Sequence, residues 1–409
     1  MITYLKVDGF KSLSNFEIKF QKGLNVLIGP NGAGKTNICQ ALSLISSAST
    51  NSISDYILSI GGLESTFTIS KEYNTQIGKG LSILSKGEIV DKIDNKPYEL
   101  KYEYSFSLLL KDKNLIINTE NFKLYRLSPK NRYKLILETL LKNGFLIIKI
   151  RDVELIGPVA SKELISKTRT LKIKIPDHYT ESAIPILNSL FYFGHKVSND
   201  LSYSKAWNID PYIAKKTSDI LEPSTMLFDG RRLANAVHEI FENDNKLSSD
   251  LTDLLKKVIP RFVKIIPETL SSGLTKSFSI IDENGLRIPI HSLSDGTIKL
   301  LALLIGIHTH GKSSTIIEEP ENYLHPWASQ TLIEYFRDYF ENNICIITTH
   351  SETILNSILP KEIIVVTNVG GKTRINRLQN DKKLKEAIEM SGFGCGYHYV
   401  AGSLGGKPQ

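Results

Sequence analysis

The chain has 409 residues, which allows two or three domains. Apolar residues make up 41% and charged residues 23%, and this balance excludes a wholly disordered chain. The formal net charge of +7 permits a phosphate-rich partner, but a surface with surplus lysine accounts for it equally well.

Cysteine usage and hydropathy narrow the class of protein further. Cys39, Cys345 and Cys395 are odd in number and far apart, which argues against a disulfide framework and a structural zinc site. The longest dense apolar stretch, residues 300–307, is much shorter than the roughly 20 residues that span a bilayer. The N-terminal segment lacks the pattern of a secretory signal. We therefore expect a cytoplasmic protein with no membrane partner.

The beginning of the chain predicts a strand, a glycine-rich loop and a helix. Residues 24–28 (LNVLI) form a short apolar run between two glycines, as a buried strand does. After the loop, apolar residues recur at spacings of three and four and predict the inner face of a helix: Ile38, Ala41, Leu42 and Ile45.

The middle of the chain predicts strands and then helices. Residues 102–150 consist of extended segments separated by turns. Polar loops and helical segments follow, with helices predicted at 232–241 and 251–263. A hairpin is predicted at 278–290, with its turn at 283–285.

The last third of the chain predicts an alternation of helices and strands. Helices are predicted at 296–308 and 326–340, and strands at 314–317, 344–348 and 363–366. In the second helix we expect five large side chains to face inward: Trp327, Leu332, Ile333, Phe336 and Phe340. Alternating strands and helices imply a mostly parallel sheet covered on both faces.

These elements predict an α/β domain built from both ends of the chain. Its mixed, mostly parallel sheet carries an antiparallel β extension, and an α-helical region is inserted. The predicted segments are an N-terminal half (1–70), the β extension (71–175), the mainly helical insert (176–275) and a C-terminal half with a glycine-rich tail (276–409).

The strongest motif lies between the first apolar strand and the first helix. It fits the pattern GxxxxGK[ST] with Gly29, Pro30, Asn31, Gly32, Ala33, Gly34, Lys35 and Thr36, and we count Asn37 as a further contact. Glycines let the backbone approach phosphate, and the loop N–H groups and helix N-terminus face its charge. We expect Lys35 to reach the β- and γ-phosphates of a nucleotide and Thr36 to hold Mg²⁺. The alternative is a glycine-rich turn without a ligand.

An acidic strand end is the second motif. The apolar strand at 315–317 leads into Glu318 and Glu319, and the carboxyl edge of a parallel sheet would bring these acids to the phosphate loop. Because successive strand residues point to opposite sides, we expect the two to differ in role. One can orient a Mg²⁺-bound water, and the other can polarise the attacking water.

Two further motifs complete an ordered set. Ser294 and Gly296 open the buried helix, where a serine usually serves as an N-cap but can also help to bind an anion. Because the phosphate loop already supplies donors, we expect this helix start to meet a nucleotide held by another copy. His350 follows the strand after the acidic one, and the topology would bring it near the γ-phosphate.

In this order, GPNGAGKT, LSDGT, EEPENYLHP and TTHS resemble the ATPase head of the ABC/SMC/RecF group. More narrowly, they resemble the AAA-type ATPases of OLD-like, Septu and PARIS phage-defence systems. The resemblance implies ATP and Mg²⁺ as cofactors. It implies that Lys11 and Ser12 lie near the base or ribose, and that Ser294 and Gly296 touch the γ-phosphate bound to the opposite subunit.

The same resemblance implies the catalytic roles. Glu319 would be the catalytic carboxylate, His350 the γ-phosphate switch, and residues 322–325 the loop that crosses the dimer interface. Glu318 stands where the family has a metal-organising Asp and is one methylene longer. LSDGT replaces the familiar LSGGQ, so Asp295 brings a negative charge near the partner's phosphate.

The function expected from this set is an ATP-binding and ATP-hydrolysing switch with slow turnover, formed by a homodimer or higher homo-oligomer. We expect it to be the sensor or scaffold of a prokaryotic anti-phage defence system. Only 59 residues follow His350, too few for a nuclease module, so a separately encoded nuclease or toxin would be the effector. A RecF-like, DNA-binding ATPase in DNA repair is the alternative, and a stand-alone regulatory ATPase stays open.

Double-stranded DNA is a candidate partner because basic residues cluster near the end of the predicted β extension: Lys162, Lys167, Arg169, Lys172 and Lys174. A solvated strand face explains the same cluster. His308 and His310 are two residues apart and do not share a helix face, so we do not predict a metal site there. Arg231 and Arg232 beside Asp229 could face a nucleotide or a partner, but the pattern favours an ordinary ion pair at a helix start.

Overall fold

The structure is a computed structural model, and it describes residues 1–50, 52–67, 80–93, 96–111, 114–128, 130–152, 170–175, 182–185, 187, 194–270, 273–310, 314–378, 386, 390–392 and 394–401. Three of the five clustered basic residues, Lys162, Lys167 and Arg169, lie outside the described residues. Within these ranges, no helix combines the length and apolar character needed to cross a bilayer.

The strands, numbered in chain order, are β1 (Ile2–Asp8), β2 (Phe16–Lys19), β3 (Gly23–Ile28), β4 (Leu81–Ile93), β5 (Lys96–Lys111), β6 (Asn114–Leu127), β7 (Tyr133–Lys142), β8 (Phe145–Ile150), β9 (Thr170–Lys174), β10 (Ala206–Trp207), β11 (Ser218–Asp219), β12 (Phe262–Thr269), β13 (Thr275–Asp282), β14 (Arg287–Pro289), β15 (Thr315–Glu318), β16 (Ile344–Thr348), β17 (Ile363–Val369) and β18 (Lys372–Arg377).

The helices are α1 (Lys35–Ser49), α2 (Ile53–Ser59), α3 (Gly62–Thr66), α4 (Gly194–Ser202), α5 (Pro211–Ala214), α6 (Leu233–Asn243), α7 (Asn245–Val258), α8 (Asp295–Thr309), α9 (Pro326–Tyr339), α10 (Glu352–Asn356) and α11 (Cys395–Val400). Short 3-10 turns occur at Ile290–Ser292 and Pro360–Glu362.

The chain forms two compact units, and each contains segments from distant parts of the sequence. The first unit comprises Met1–Lys22, Gly29–Lys205 and Val366–Asn376. The second comprises Gly23–Ile28, Ala206–Val365 and the chain from Arg377 onward. Residues 176–275, predicted as a mainly helical insert, contain strands β10 to β12 as well as helices α4 to α7. The four-segment division stays a prediction.

The first unit is built on an eight-stranded antiparallel sheet in the order β2-β1-β4-β5-β6-β7-β8-β9. The extended segments predicted at 102–150 are confirmed as strands of this sheet. Side chains alternate between the two faces of a strand, and one face of β5 is therefore buried: Tyr102, Tyr104, Phe106 and Leu108. Helix α1 buries the predicted apolar face, including Ile38 and Leu42.

The other face of this sheet carries charges that pair between neighbouring strands. Lys86 lies 2.5 Å from Glu103, and Lys101 lies 2.8 Å from Glu88. Cross-strand pairs of opposite charge are the usual arrangement on a solvated sheet face. Each of these two lysines is therefore paired with a carboxylate on the neighbouring strand.

The second unit contains the predicted parallel sheet, which is confirmed. Strands β10, β15, β16, β3 and the first residues of β17 lie side by side in that order, all in parallel. All five residues of β16 are buried, as expected for a strand covered on both faces. In the register of the sheet, Glu318 pairs with Thr348, and Thr348 pairs with Leu27.

The helices and the hairpin of the second unit largely follow the predictions. Helix α8 buries every residue from Ile298 to Ile307, as its apolar sequence predicted. Strands β13 and β14 form the predicted hairpin, and Gly285 at its turn has a φ of +74° that glycine adopts without strain. Strands β12 and β11 flank β13 in a separate antiparallel sheet.

Two local predictions are wrong. The helix predicted at 251–263 is α7, which starts six residues earlier because Asp244 caps it by accepting the Leu247 N–H at 2.9 Å. It ends before Pro260, since proline cannot continue a helix, and β12 follows. Trp327, predicted to face inward, is 52% exposed because it lies in the first turn of α9, before the buried stripe begins.

Candidate functional site

The phosphate loop has the local context that its motif requires. Strand β3 ends at Ile28 and helix α1 begins at Lys35. Gly29 and Gly34 both have positive φ, and neither has room for a side chain. A Cβ on Gly29 would lie 2.1 Å from the carbonyl oxygen of Val366, and one on Gly34 would lie 2.0 Å from Oγ1 of Thr373. Glycine is therefore required at both positions for steric reasons.

Lys35 directs its ammonium into the phosphate loop. Its Nζ donates to the carbonyl oxygens of Gly29, at 2.8 Å, and Pro30, at 3.1 Å, and the side chain is buried. Thr36, the next residue, is exposed at the start of α1. The loop thus presents one buried cation, one exposed hydroxyl and the N-terminus of a 15-residue helix, which suits a polyanion.

Ser12 and Asn37, both predicted nucleotide contacts, lie together at this loop. Asn37 Nδ2 donates to Ser12 Oγ at 2.6 Å, and Ser12 Oγ is also 2.6 Å from the hydroxyl of Thr373. Lys11 directs its Nζ to the carbonyl oxygen of Ile60 at 3.4 Å, and burial lowers the pKa of Lys11. The structure therefore brings Ser12, rather than the ammonium of Lys11, to the loop.

Thr373 is a loop contact that the sequence did not reveal. Its hydroxyl donates to the carbonyl oxygen of Ala33 at 3.1 Å, and its side chain is fully buried. Asn368, on the preceding strand, donates to the carbonyl oxygen of Gly32 at 3.3 Å. These hydrogen bonds span more than 300 residues, and a threonine in a hairpin near the end of the chain carries no local signal of such a role.

In the second unit, the acidic motif lies at the carboxyl edge of the parallel sheet. Glu318 ends β15 and is half-buried. Glu319 lies outside the strand with a φ of +45°, and its N–H donates to the carbonyl oxygen of Thr348 at 3.0 Å. The prediction that strand alternation separates the two acids is therefore wrong. Their environments differ because the backbone turns after Glu318.

Glu319 and His350 are brought together at this edge. His350 Nε2 lies 3.7 Å from Oε1 of Glu319, and Asn322 Nδ2 donates to Oε2 of Glu319 at 2.8 Å. Both members of the pair stay partly exposed, at 35% for His350 and 41% for Glu319. A carboxylate that is oriented from both sides and open to solvent can accept a proton from water.

Lys299 is a second contact that the sequence analysis did not identify. It is buried on α8, and its Nζ donates to the backbone carbonyl oxygen of Glu319 at 2.8 Å. Burial lowers the pKa of Lys299 to about 8, against the opposing effect of the Glu321 and Glu319 charges. A lone lysine within an otherwise apolar helix was the available signal, since a buried lysine needs a partner.

The start of α8 combines the features predicted for Ser294 and Gly296. Ser294 caps the helix by accepting the N–H of Thr297 at 3.1 Å and remains exposed. A Cβ on Gly296 would lie 2.4 Å from the carbonyl oxygen of Tyr323, so the loop after Glu319 packs directly on this helix start. The contact of Ser294 and Gly296 with a nucleotide stays a prediction.

Asp295, the departure from the familiar motif, is paired within the chain. Lys215 Nζ lies 2.6 Å from its carboxylate. The negative charge that LSDGT introduces therefore has a positive partner within the same chain.

The remaining candidates are structural. His310 Nε2 is 2.5 Å from the carbonyl oxygen of Met226, and His308 bonds the hydroxyl of Tyr335. Arg231 forms an ion pair with Asp229 at 2.8 Å. No cluster of three or more metal-ligating side chains occurs among the residues that the structure describes.

Residues 24–356 match the family described as "AAA domain, putative AbiEii toxin, Type IV TA system". An ATP/GTP phosphatase of Helicobacter pylori is 21% identical over 397 residues, which cover 93% of each chain.

Two further relatives match over shorter stretches. The DNA replication and repair protein RecF of Teredinibacter turnerae is 28% identical over 132 residues, or 32% of this chain. The Septu protein PtuA of Bacillus thuringiensis is 40% identical over 42 residues, or 10% of this chain. The chain spans only 34% of that RecF and 11% of that PtuA.

Among solved structures, an SMC head bound to the C-winged helix domain of ScpA is similar, with a TM-score of 0.54 at 16% identity. The match covers 93% of this chain and 99% of that one. The predicted fold, a P-loop ATPase head with a mixed sheet and a β extension, is therefore confirmed.

Proposed function

The chain belongs to the AAA-domain family that matches residues 24–356, among ATPases of the SMC, RecF and ABC type, and we propose that it hydrolyses ATP as a dimeric switch. The observation that carries the proposal is the pairing of Glu319 with His350 at the ends of β15 and β16. Strand β16 also pairs with β3, which leads in sequence into the phosphate loop. The carboxyl edge of a parallel sheet is where such folds bind ligands.

The proposed roles follow from the chemistry of each side chain. The loop N–H groups and Lys35 bind the phosphates of ATP, and Glu319 accepts the proton of the attacking water. Asn322 keeps the Glu319 carboxylate in one orientation through its 2.8 Å hydrogen bond. His350 contacts the γ-phosphate, so the conformation of the loop after β16 depends on whether this phosphate is bound.

Mg²⁺ fits the oxygen donors available for it. The ion takes few ligands from protein and the rest from water and nucleotide phosphates. The exposed hydroxyl of Thr36 and the carboxylate of Glu318 are hard oxygen donors of that kind. We assign these two residues to Mg²⁺, which supplies charge neutralisation to the phosphates when bound.

The dimer is proposed from the surface around α8. Ser294 is exposed at the helix start. The loop packed against it exposes Tyr323 at 64%, and the first turn of α9 exposes Trp327 at 52%. Exposed aromatic residues are enriched in protein interfaces. We propose that Ser294 and Gly296 of one copy contact the γ-phosphate held by the other.

ATP binding and hydrolysis by three variants test the proposal. Lys35→Ala should lose ATP binding. Glu319→Gln should bind ATP, hydrolyse it about 10²- to 10⁴-fold more slowly, and accumulate as a dimer in light scattering. Glu341→Gln removes an exposed carboxylate just beyond α9 and should behave as wild type. Phosphate release at the wild-type rate by Glu319→Gln would refute the catalytic assignment.

A defence role with a separate effector is the biological function we propose. Its support is the family description, which names a toxin of a toxin–antitoxin system, and the similarity to the Septu protein PtuA. The test is phage plating on cells that carry the gene with its neighbours. Protection should disappear with Lys35→Ala, and an effector should co-purify with the ATPase. Equal protection by Lys35→Ala would exclude an ATP-dependent role.

DNA repair is the second candidate, favoured by the similarity to RecF. Lys172 and Lys174 are exposed on β9 and could contact a phosphate backbone. If they do, the affinity for duplex DNA should fall by about 10³-fold between 50 and 200 mM salt, as expected for a protein that makes several phosphate contacts. It should weaken further in the Lys172→Ala, Lys174→Ala double variant. Salt-insensitive or absent binding would remove this candidate.

A further inference from the structure

Glu321 connects the two loops that carry Glu319 and His350. It lies after β15, in the same loop as Glu319. Its Oε1 accepts a hydrogen bond from the hydroxyl of Thr349 at 2.6 Å and a second from the backbone N–H of His350 at 3.1 Å. A single carboxylate oxygen therefore holds the backbone of the loop after β16 to the loop after β15.

Thr349 anchors this connection in the sheet. It is fully buried, and its N–H donates to the carbonyl oxygen of Leu27 at 3.3 Å. Its hydroxyl also accepts the N–H of Ser351 at 3.0 Å, the residue that caps α10. The backbone around His350 is thus held by β3 through Thr349 and by the loop after β15 through Glu321.

The second oxygen of Glu321 indicates that the residue does more than fill space. Oε2 is buried and has no hydrogen-bond partner among the described residues. A buried carboxylate oxygen without a partner costs free energy, and an apolar side chain of similar size would avoid that cost. The two hydrogen bonds that Oε1 accepts offset this cost, because charge-assisted hydrogen bonds are short and strong.

We infer that Glu321 is a positioning residue for ATP hydrolysis, holding the imidazole of His350 beside the carboxylate of Glu319. The inference rests on the proposed function. The backbone of Glu319 is held separately, by the carbonyl oxygen of Thr348 and by Lys299. Without Glu321, the backbone N–H of His350 loses its hydrogen bond to the loop after β15, and we expect the 3.7 Å spacing between the side chains of His350 and Glu319 to be lost.

The kinetic test compares Glu321→Ala with Glu321→Gln. The alanine removes the acceptor, whereas the glutamine keeps an oxygen where Oε1 lies. We expect Glu321→Ala to lower kcat by about 10- to 100-fold, since displacing a reacting group by about 1 Å costs that much, with ATP affinity changed by less than about threefold. Glu321→Gln should recover most of the rate. Glu341→Ala, which removes an exposed carboxylate, is the control.

Hydrogen exchange of the His350 amide tests the same connection without ATP. Glu321→Ala should speed exchange of this amide about tenfold or more, because its acceptor is lost, while Glu321→Gln and Glu341→Ala should not. Unchanged exchange in Glu321→Ala would overturn the inference, as would a loss of ATP binding that parallels the loss of kcat. If the wild-type protein does not hydrolyse ATP, the proposed function fails, and the exchange result still decides whether Glu321 holds the His350 loop.

Discussion

The ammonium of Lys299 donates a hydrogen bond to the backbone carbonyl oxygen of Glu319 across 2.8 Å, from a helix that is otherwise apolar. The lysine is only 2% exposed, and burial lowers its pKa from 10.5 to about 8. It fixes the backbone of the residue that we propose as the catalytic carboxylate. Because the folded chain disfavours the charged form of Lys299, its contribution to the free energy of unfolding should depend on pH.

The unfolded chain keeps the proton on Lys299 up to about pH 10.5, whereas the folded chain releases it near pH 8. The cost of burying the charge is fully present below pH 8 and is relieved as the pH rises from 8 to 10.5. Over this range, wild type should gain up to about 3 kcal/mol in unfolding free energy relative to Lys299→Met, at about 1.4 kcal/mol per pKa unit.

Urea unfolding at a series of pH values measures this difference. Lys257→Met, which removes an exposed lysine of α7, should give a difference from wild type that does not change with pH. A flat difference for Lys299→Met as well would contradict the lowered pKa.

Gly34 and Gly32 offer a matched test of the steric requirement in the phosphate loop. Both have positive φ, at +104° and +78°, so alanine strains the backbone at either position. A Cβ on Gly34 would lie 2.0 Å from Thr373 Oγ1, whereas one on Gly32 would meet no atom within 4 Å. Gly34→Ala should abolish binding of a fluorescent ATP analogue, and Gly32→Ala should weaken it much less. Equal losses of binding in the two variants would mean that backbone strain from the positive φ, and not the clash with Thr373, causes the loss.

The hydroxyl of Thr373 should stabilise the phosphate loop. Thr373→Val keeps the shape of the side chain but removes its buried hydrogen bond to the carbonyl oxygen of Ala33 and its bond to the hydroxyl of Ser12, which keeps the bond from Asn37. We expect a loss of about 1–3 kcal/mol in unfolding free energy, together with weaker ATP binding. Thr331→Val on α9, where the hydroxyl bonds an exposed backbone carbonyl, is the control. ATP affinity equal to that of wild type would show that the loop holds its shape without this hydroxyl.

Lys215 should favour ATP-driven dimer formation by offsetting the charge of Asp295. Lys215→Met leaves Asp295 unpaired at the proposed interface, where it would repel the partner's phosphate. The apparent dimer affinity of the Glu319→Gln protein with ATP should fall about two- to fivefold, as for a partly exposed ion pair. Adding Asp295→Asn should restore it. Sedimentation measures the dimer fraction, and a Lys215→Met protein that dimerises as well as its parent would show that Asp295 does not face the nucleotide.

Much of the fold was predictable because its signals are local. The apolar run before Gly29, the helical spacing after it and the unbroken apolar sequence of α8 each depend on residues within one element. Helix ends were harder, because the cap at Asp244 and the stop before Pro260 had to be weighed against apolar spacing. Trp327 shows the same limit, since spacing alone does not reveal where along a helix the buried stripe begins.

By itself, the sequence determined the phosphate loop, the parallel sheet and the order of the motifs, because each follows from neighbouring residues and the periodicity of one strand or helix. Only the tertiary structure decided which side chains hold these motifs in place. Thr373 reaches Ala33 across 340 residues, Glu321 reaches the backbone of His350, and Lys299 reaches that of Glu319. Nearly every residue type offers the same backbone donor and acceptor, so a hydrogen bond to a backbone atom does not constrain the residue type of the partner. The sequence therefore does not show such a bond, and the folded chain does.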